Sequence, residues 1–127
     1  MKKQDLPLSP HLQIYKPQIT SLLSISHRIS GVALNFMLVI LVLGLLCITL
    51  GESYFELLIS LITSFPVKII IFLAILGFSY HFLNGIRHII WDFGFLLGNR
   101  SSAIFGYIII ATSFISSILI SRLLGLF

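Results

Sequence analysis

Three stretches free of Lys, Arg, Asp and Glu divide the chain: residues 29–51, 69–86 and 101–121. Each approaches the ~20 residues that an α-helix needs to cross the hydrocarbon core of a bilayer. Polar positions collect between these stretches and on the approach to the first. The pattern predicts transmembrane helices over roughly residues 25–50, 65–91 and 103–124, joined by connections at 51–64 and 92–102. The middle span extends beyond its uncharged stretch at both ends, with Lys68 snorkelling at one of them. Residues 1–19 carry Lys2, Lys3, Asp5 and Lys16 together with Pro7, Pro10 and Pro17. So many prolines oppose a long helix, so an irregular arm skirting the membrane is expected.

Polar residues inside the spans recur at helical spacing. Side chains three, four, seven or eleven apart share a face, so His81, Gly85, His88 and Asp92 form one stripe on the second span, with Asn84 at its shoulder. Arg87 lies about a third of a turn away. On the first span Ser24, His27, Arg28, Gly31 and Asn35 form a similar stripe. A histidine within a membrane is costly and faces protein, water or a ligand. Gly85, one turn beyond His81, would let a flat group such as a porphyrin lie near the backbone. The spacing alone leaves His81 open as a haem ligand, a proton relay or an interhelical hydrogen-bonding group.

Composition settles the class. Of 127 residues, 57% are hydrophobic and 9% charged, and the mean hydropathy of +1.09 excludes a soluble domain of this size. The expected architecture is an all-α membrane protein, a single anchor domain over residues 1–127. The net charge of +4, spread over membrane flanks, points to orientation and not to nucleic acid. Basic residues sit at the N-terminus and near the second connection, while the first connection carries only Glu52 and Glu56. The positive-inside rule then places the N-terminus in the cytoplasm. Cys47 is the sole cysteine, so a disulfide framework and a cysteine metal site are excluded. Without Cys-x-x-Cys-His any haem is non-covalent, of the b type. The polar first sixteen residues resemble neither a signal peptide nor a transit peptide, so insertion through the first span is expected.

In that orientation the two stripes meet near the cytoplasmic face. His81 lies seven residues deeper than His88, about 10 Å along the axis. A haem held by His81 would extend towards this face, where His27, Arg28 and His88 could meet its propionates, since Arg suits carboxylates. Ser24 and Arg28 supply hydrogen-bond donors for a quinone headgroup. Taken singly, Arg28 and Asp92 are better read as anchoring helix ends to lipid headgroups; the two converging stripes weaken that reading.

Three segments together carry a family resemblance: Ser9-Pro10-His11-Leu12-Gln13-Ile14-Tyr15, then Ser24-Ile25-Ser26-His27-Arg28-Ile29-Ser30-Gly31, then His81-Phe82-Leu83-Asn84-Gly85-Ile86-Arg87-His88 with Trp91-Asp92. In order and spacing they resemble the large cytochrome b membrane anchors of succinate dehydrogenase, respiratory complex II, over the whole chain. The first segment resembles the ubiquinone-using branch. Ser26 departs from a position often apolar in that family. The resemblance implies that His81 is an axial ligand of haem b iron, that His27, Arg28 and His88 surround the propionates, and that Ser24 and Arg28 line the ubiquinone site. It implies a second small anchor subunit supplying the other haem ligand, so that three helices form half of a heterodimeric bundle. It also implies iron–sulfur and flavoprotein subunits, the latter carrying out succinate oxidation. The chain is then a non-flavin electron-transfer subunit passing electrons to ubiquinone, in a bacterial inner membrane or, if organelle-encoded, the mitochondrial one. The alternatives are a purely structural anchor and a small His-based proton or solute transporter. The clustering of polar residues at one membrane face disfavours transport.

Overall fold

The computed structural model describes residues 16–127. Most of the expected arm, including the segment Ser9 to Tyr15, lies outside the described residues. Four helices follow: α1 over Ile19–Thr49, α2 over Glu52–Thr63, α3 over Phe65–Asp92 and α4 over Asn99–Leu123. Among the described residues there is no strand. Three of the helices, α1, α3 and α4, are long and apolar enough to cross a membrane. The protein is an all-α membrane protein.

Helix α1 begins at Ile19, directly after Pro17 and Gln18, and not near residue 25. With 31 residues it is about 46 Å long, against a hydrocarbon core of about 30 Å. The extra turns hold Ser24, His27 and Arg28, which hydropathy alone places at the margin.

The sequence reading treats residues 51–64 as a connection, whereas the structure folds Glu52–Thr63 into α2. Gly51, with φ at 113°, makes the break that separates α2 from α1. Glu52 in the first turn complements the helix dipole. No Gly or Pro interrupts the segment before Pro66. Ser64 ends it: its hydroxyl donates to the Leu61 carbonyl at 2.6 Å, and its extended backbone turns the chain into α3. Pro66 stands in the first turn of α3, where its missing N–H has no intrahelical partner to lose. Leu58 and Ile62 of α2 line a groove with α1 and α3.

Helix α3 ends in a Schellman arrangement. Gly94 (φ 81°) donates its N–H to Trp91 at 2.8 Å, and Phe95 donates to Ile90 at 3.1 Å. Left-handed backbone at this position favours glycine.

Packing reverses the soluble pattern. The buried apolar residues are Leu23 and Ile109, while Ser79, Asn84, Arg87, Ser102, Ser113, Ser117 and Ser121 are buried polar ones. On α4 the buried face is Ser102, Gly106, Ile109, Ser113, Ser117 and Ser121, small residues that let helices approach closely in lipid. Two of their hydroxyls are bonded within the helix, while Ser121 Oγ has no partner among the described residues. Ser113 donates to Ile109 at 2.7 Å and Ser117 to Ser113 at 2.5 Å, satisfying them within the helix. Large apolar side chains such as Phe36, Leu41, Phe82, Ile115 and Leu123 face outward.

Candidate functional site

Helix α3 separates two polar seams, one against α1 and one against α4. In the α1 seam His27 stacks on His81 with ring centroids 4.0 Å apart and planes 7° from parallel. His88 lies on the other side, 5.2 Å from His27, with Trp91 edge-on to it at 5.2 Å. His27 lies beside Gly85, where an added Cβ would meet its Cε1 at 3.9 Å, an ordinary contact. Within the chain, the flat group nearest Gly85 is an imidazole of α1.

His81 is fixed at one edge. Its Nδ1 lies 3.1 Å from Ser30 Oγ and 3.1 Å from the His27 carbonyl oxygen. Among the described residues no group hydrogen-bonds its Nε2. Close approach to α1 depends on Gly31, where a Cβ would come within 2.9 Å of His81 Cε1. His81 also lines a groove of about 1350 Å³ between α1, α2 and α3. Arg28, Gly31 and Asn35 give this groove a polar end, and Leu38, Leu41, Leu45, Ile48, Leu58 and Ile71 make the rest apolar. It exceeds the ~300–1,000 Å³ usual for drug-sized ligands. An imidazole held through Nδ1 with Nε2 free has the arrangement of a metal-ligating histidine. Among the described residues no group of three or more His, Cys, Asp or Glu could hold a bare ion.

The seam therefore brings together His27, His81 and His88, with Arg28 at the same groove as His81. Ser24 is half-buried, one turn before Arg28, and is not in the groove lining. Asp92 is exposed. The buried Nδ1 of His27 has no hydrogen-bond partner among the described residues.

The α4 seam contains what the sequence reading left without a contact. Arg87 is fully buried. Its Nη1 donates to Asn84 Oδ1 at 3.3 Å, and its Nη2 to the Ser102 carbonyl at 3.2 Å and Ser102 Oγ at 3.0 Å. The guanidinium lies 4.1 Å from the Trp91 ring centroid, a cation–π contact strengthened by desolvation. From the same side of α3 the Tyr80 hydroxyl donates to the Leu23 carbonyl of α1 at 2.8 Å. Gly106 admits the Leu23 side chain against α4. Only the three-residue spacing of Asn84 and Arg87 could have signalled this network.

Comparison with known proteins fits this architecture. Residues 2–120 match the model of the succinate dehydrogenase/fumarate reductase transmembrane subunit family. The chain is 40% identical to the succinate dehydrogenase cytochrome b556 subunit of Rickettsia typhi over 114 residues, which cover 90% of this chain and 89% of that protein. It is 44% identical to the succinate dehydrogenase cytochrome b560 subunit of Chondrus crispus over 104 residues, 76% of this chain and 78% of the relative. The corresponding subunit of Marchantia polymorpha is 44% identical over 101 residues, 75% of this chain and 73% of the relative. The chain belongs to the succinate dehydrogenase/fumarate reductase transmembrane subunit family, among the cytochrome b subunits of succinate dehydrogenase.

Proposed function

We propose that this chain binds haem b through His81, helps to form a ubiquinone-reduction site, and anchors the iron–sulfur and flavoprotein subunits to an inner membrane with its N-terminus cytoplasmic. The observation that carries the reading is the His81 imidazole, held through Nδ1 and free at Nε2 on the wall of a large apolar groove. The residues present fit a haem: His81 Nε2 would supply a nitrogen ligand, the groove would accept an apolar macrocycle, and Arg28 at its polar end would pair with a carboxylate. His27 and His88 complete the propionate surroundings, and the buried, unpartnered His27 Nδ1 has hydrogen-bonding capacity to spare. Bound haem supplies a one-electron carrier near the quinone.

This chain's own residues bind and orient. His81 would hold the haem together with a ligand from a second small anchor subunit. Ser24 and Arg28, a turn apart on α1, donate hydrogen bonds to the quinone headgroup. The apolar remainder of the groove keeps water from the site. Succinate oxidation belongs to the flavoprotein.

The test is His81→Ala in the assembled complex, read by the reduced-minus-oxidised spectrum. Loss or severe alteration of the b-type spectrum is expected, with a smaller perturbation from His88→Ala. A normal low-spin spectrum in the His81 variant would remove the assignment.

A further inference from the structure

Three short contacts share one point between α1 and α3. Ser30 Oγ donates to the His27 carbonyl at 2.8 Å, and His81 Nδ1 lies 3.1 Å from each of these two oxygens. A hydroxyl has one proton, and Ser30 commits it to the carbonyl, its shorter contact. The carbonyl can only accept, and the Ser30 oxygen has only lone pairs left to offer. Both partners of Nδ1 are therefore acceptors, so Nδ1 carries the ring proton and Nε2 the lone pair. The other tautomer would set the Nδ1 lone pair against the carbonyl oxygen.

We propose that Ser30, acting with the His27 main-chain carbonyl, is a positioning residue that fixes the tautomer and rotation of His81 and so sets its strength as an iron ligand. The inference rests on the haem reading above. An Nδ1–H shared between two acceptors makes the imidazole a stronger electron donor at Nε2, which favours the ferric form. It also prevents the ring from turning its protonated edge into the groove. Gly31 belongs to the same device, since its missing side chain lets the imidazole reach both oxygens.

The experiment compares wild type, Ser30→Ala and Ser30→Thr in the assembled complex. Haem content, the haem b reduction potential from a spectroelectrochemical titration, and the g-values of the ferric low-spin signal are measured. Ser30→Ala is expected to retain haem with a more positive potential, because the His27 carbonyl remains. At a fixed poise the ferrous-to-ferric ratio should rise about tenfold, the low end of what outer-shell partners contribute to metal sites. The g-values should move with it. Ser30→Thr keeps the hydroxyl and should return both readouts to wild type. Unchanged potential and g-values in a haem-replete Ser30→Ala complex would overturn the proposal. If Ser30→Ala loses haem, Ser30→Thr decides: recovery at the wild-type potential supports the hydrogen bond, and loss in both variants overturns it. The haem reading fails separately, through a wild-type complex without a b-type spectrum.

Discussion

The two faces of α3 solve the problem of polar groups in a membrane in opposite ways. Against α4, Arg87 is enclosed by Asn84, Ser102 and the Trp91 ring beside a line of serines, with Arg87 Nε, Trp91 Nε1 and Ser121 Oγ left without a partner among the described residues. Against α1, three imidazoles gather beside a wide groove, yet His81 Nε2 and His27 Nδ1 find no partner among the described residues. Unsatisfied polar groups in hydrocarbon cost several kcal/mol each. The α4 seam binds its charge mostly with the chain's own groups, whereas the α1 seam sets its imidazoles beside a wide groove. A histidine and an arginine six residues apart on one helix thus stand in different settings: Arg87 links α3 to α4, and His81, the proposed haem ligand, lines the groove.

The largest effect should come from breaking the closed seam. Arg87→Ala strands Asn84 Oδ1 and Ser102 Oγ, each costing about 1–3 kcal/mol, and leaves a void besides. Assembly yield and thermal unfolding of the purified complex should fall sharply, while the surviving complex keeps an ordinary b-type spectrum. A complex of normal stability would mean that the network holds nothing.

Gly31→Ala should come next, and should act on the open seam instead. The added Cβ presses on His81 Cε1 and displaces the ring from both Nδ1 acceptors. Haem content should fall several-fold, with a disturbed low-spin spectrum and little change in unfolding temperature. If stability fell first, the two seams would not be separable.

The smaller effects belong to the quinone. Arg28→Leu removes a charged donor worth about 1.5–3 kcal/mol, so quinone reduction should slow roughly tenfold or more. Ser24→Ala removes a neutral hydrogen bond worth about 0.5–1.5 kcal/mol, a slowing of a few-fold. Succinate oxidation by a soluble artificial acceptor should stay near wild type in both. Equal loss of the two activities would indicate failed assembly.

The open seam was more legible in the sequence than the closed one, for a physical reason. Two stripes of His, Arg, Ser and Gly on apolar helices stand out by contrast with lipid-facing neighbours, and His27, Gly31, His81 and His88 do meet. What Arg87 faces is not written in its own helix. A pattern of period 3.6 gives the face, but only packing decides whether that face meets lipid, ligand or protein, and here α4 brings serines and Gly106. Gly85 shows the same limit: the space it opens was readable, but its occupant, His27, came from another helix. Helix α2 was missed because twelve residues are too few to span a bilayer, and an apolar run between two spans reads as a connection when judged by span length. Ser30 carries no signal of its own in the sequence, since a hydroxyl bonded to a carbonyl three residues back is ordinary in a helix. Its meaning depends on a histidine fifty-one residues later.

The proposed sharing of haem between this chain and a second anchor subunit is tested most directly by co-expression with and without that subunit. Haem is quantified against protein, and the particle is sized in detergent. Expressed alone, the chain should bind little haem and be degraded or aggregate; expressed with its partner, it should yield a defined particle with haem held between the two. A stable form of this chain alone, loaded stoichiometrically with haem, would contradict the account.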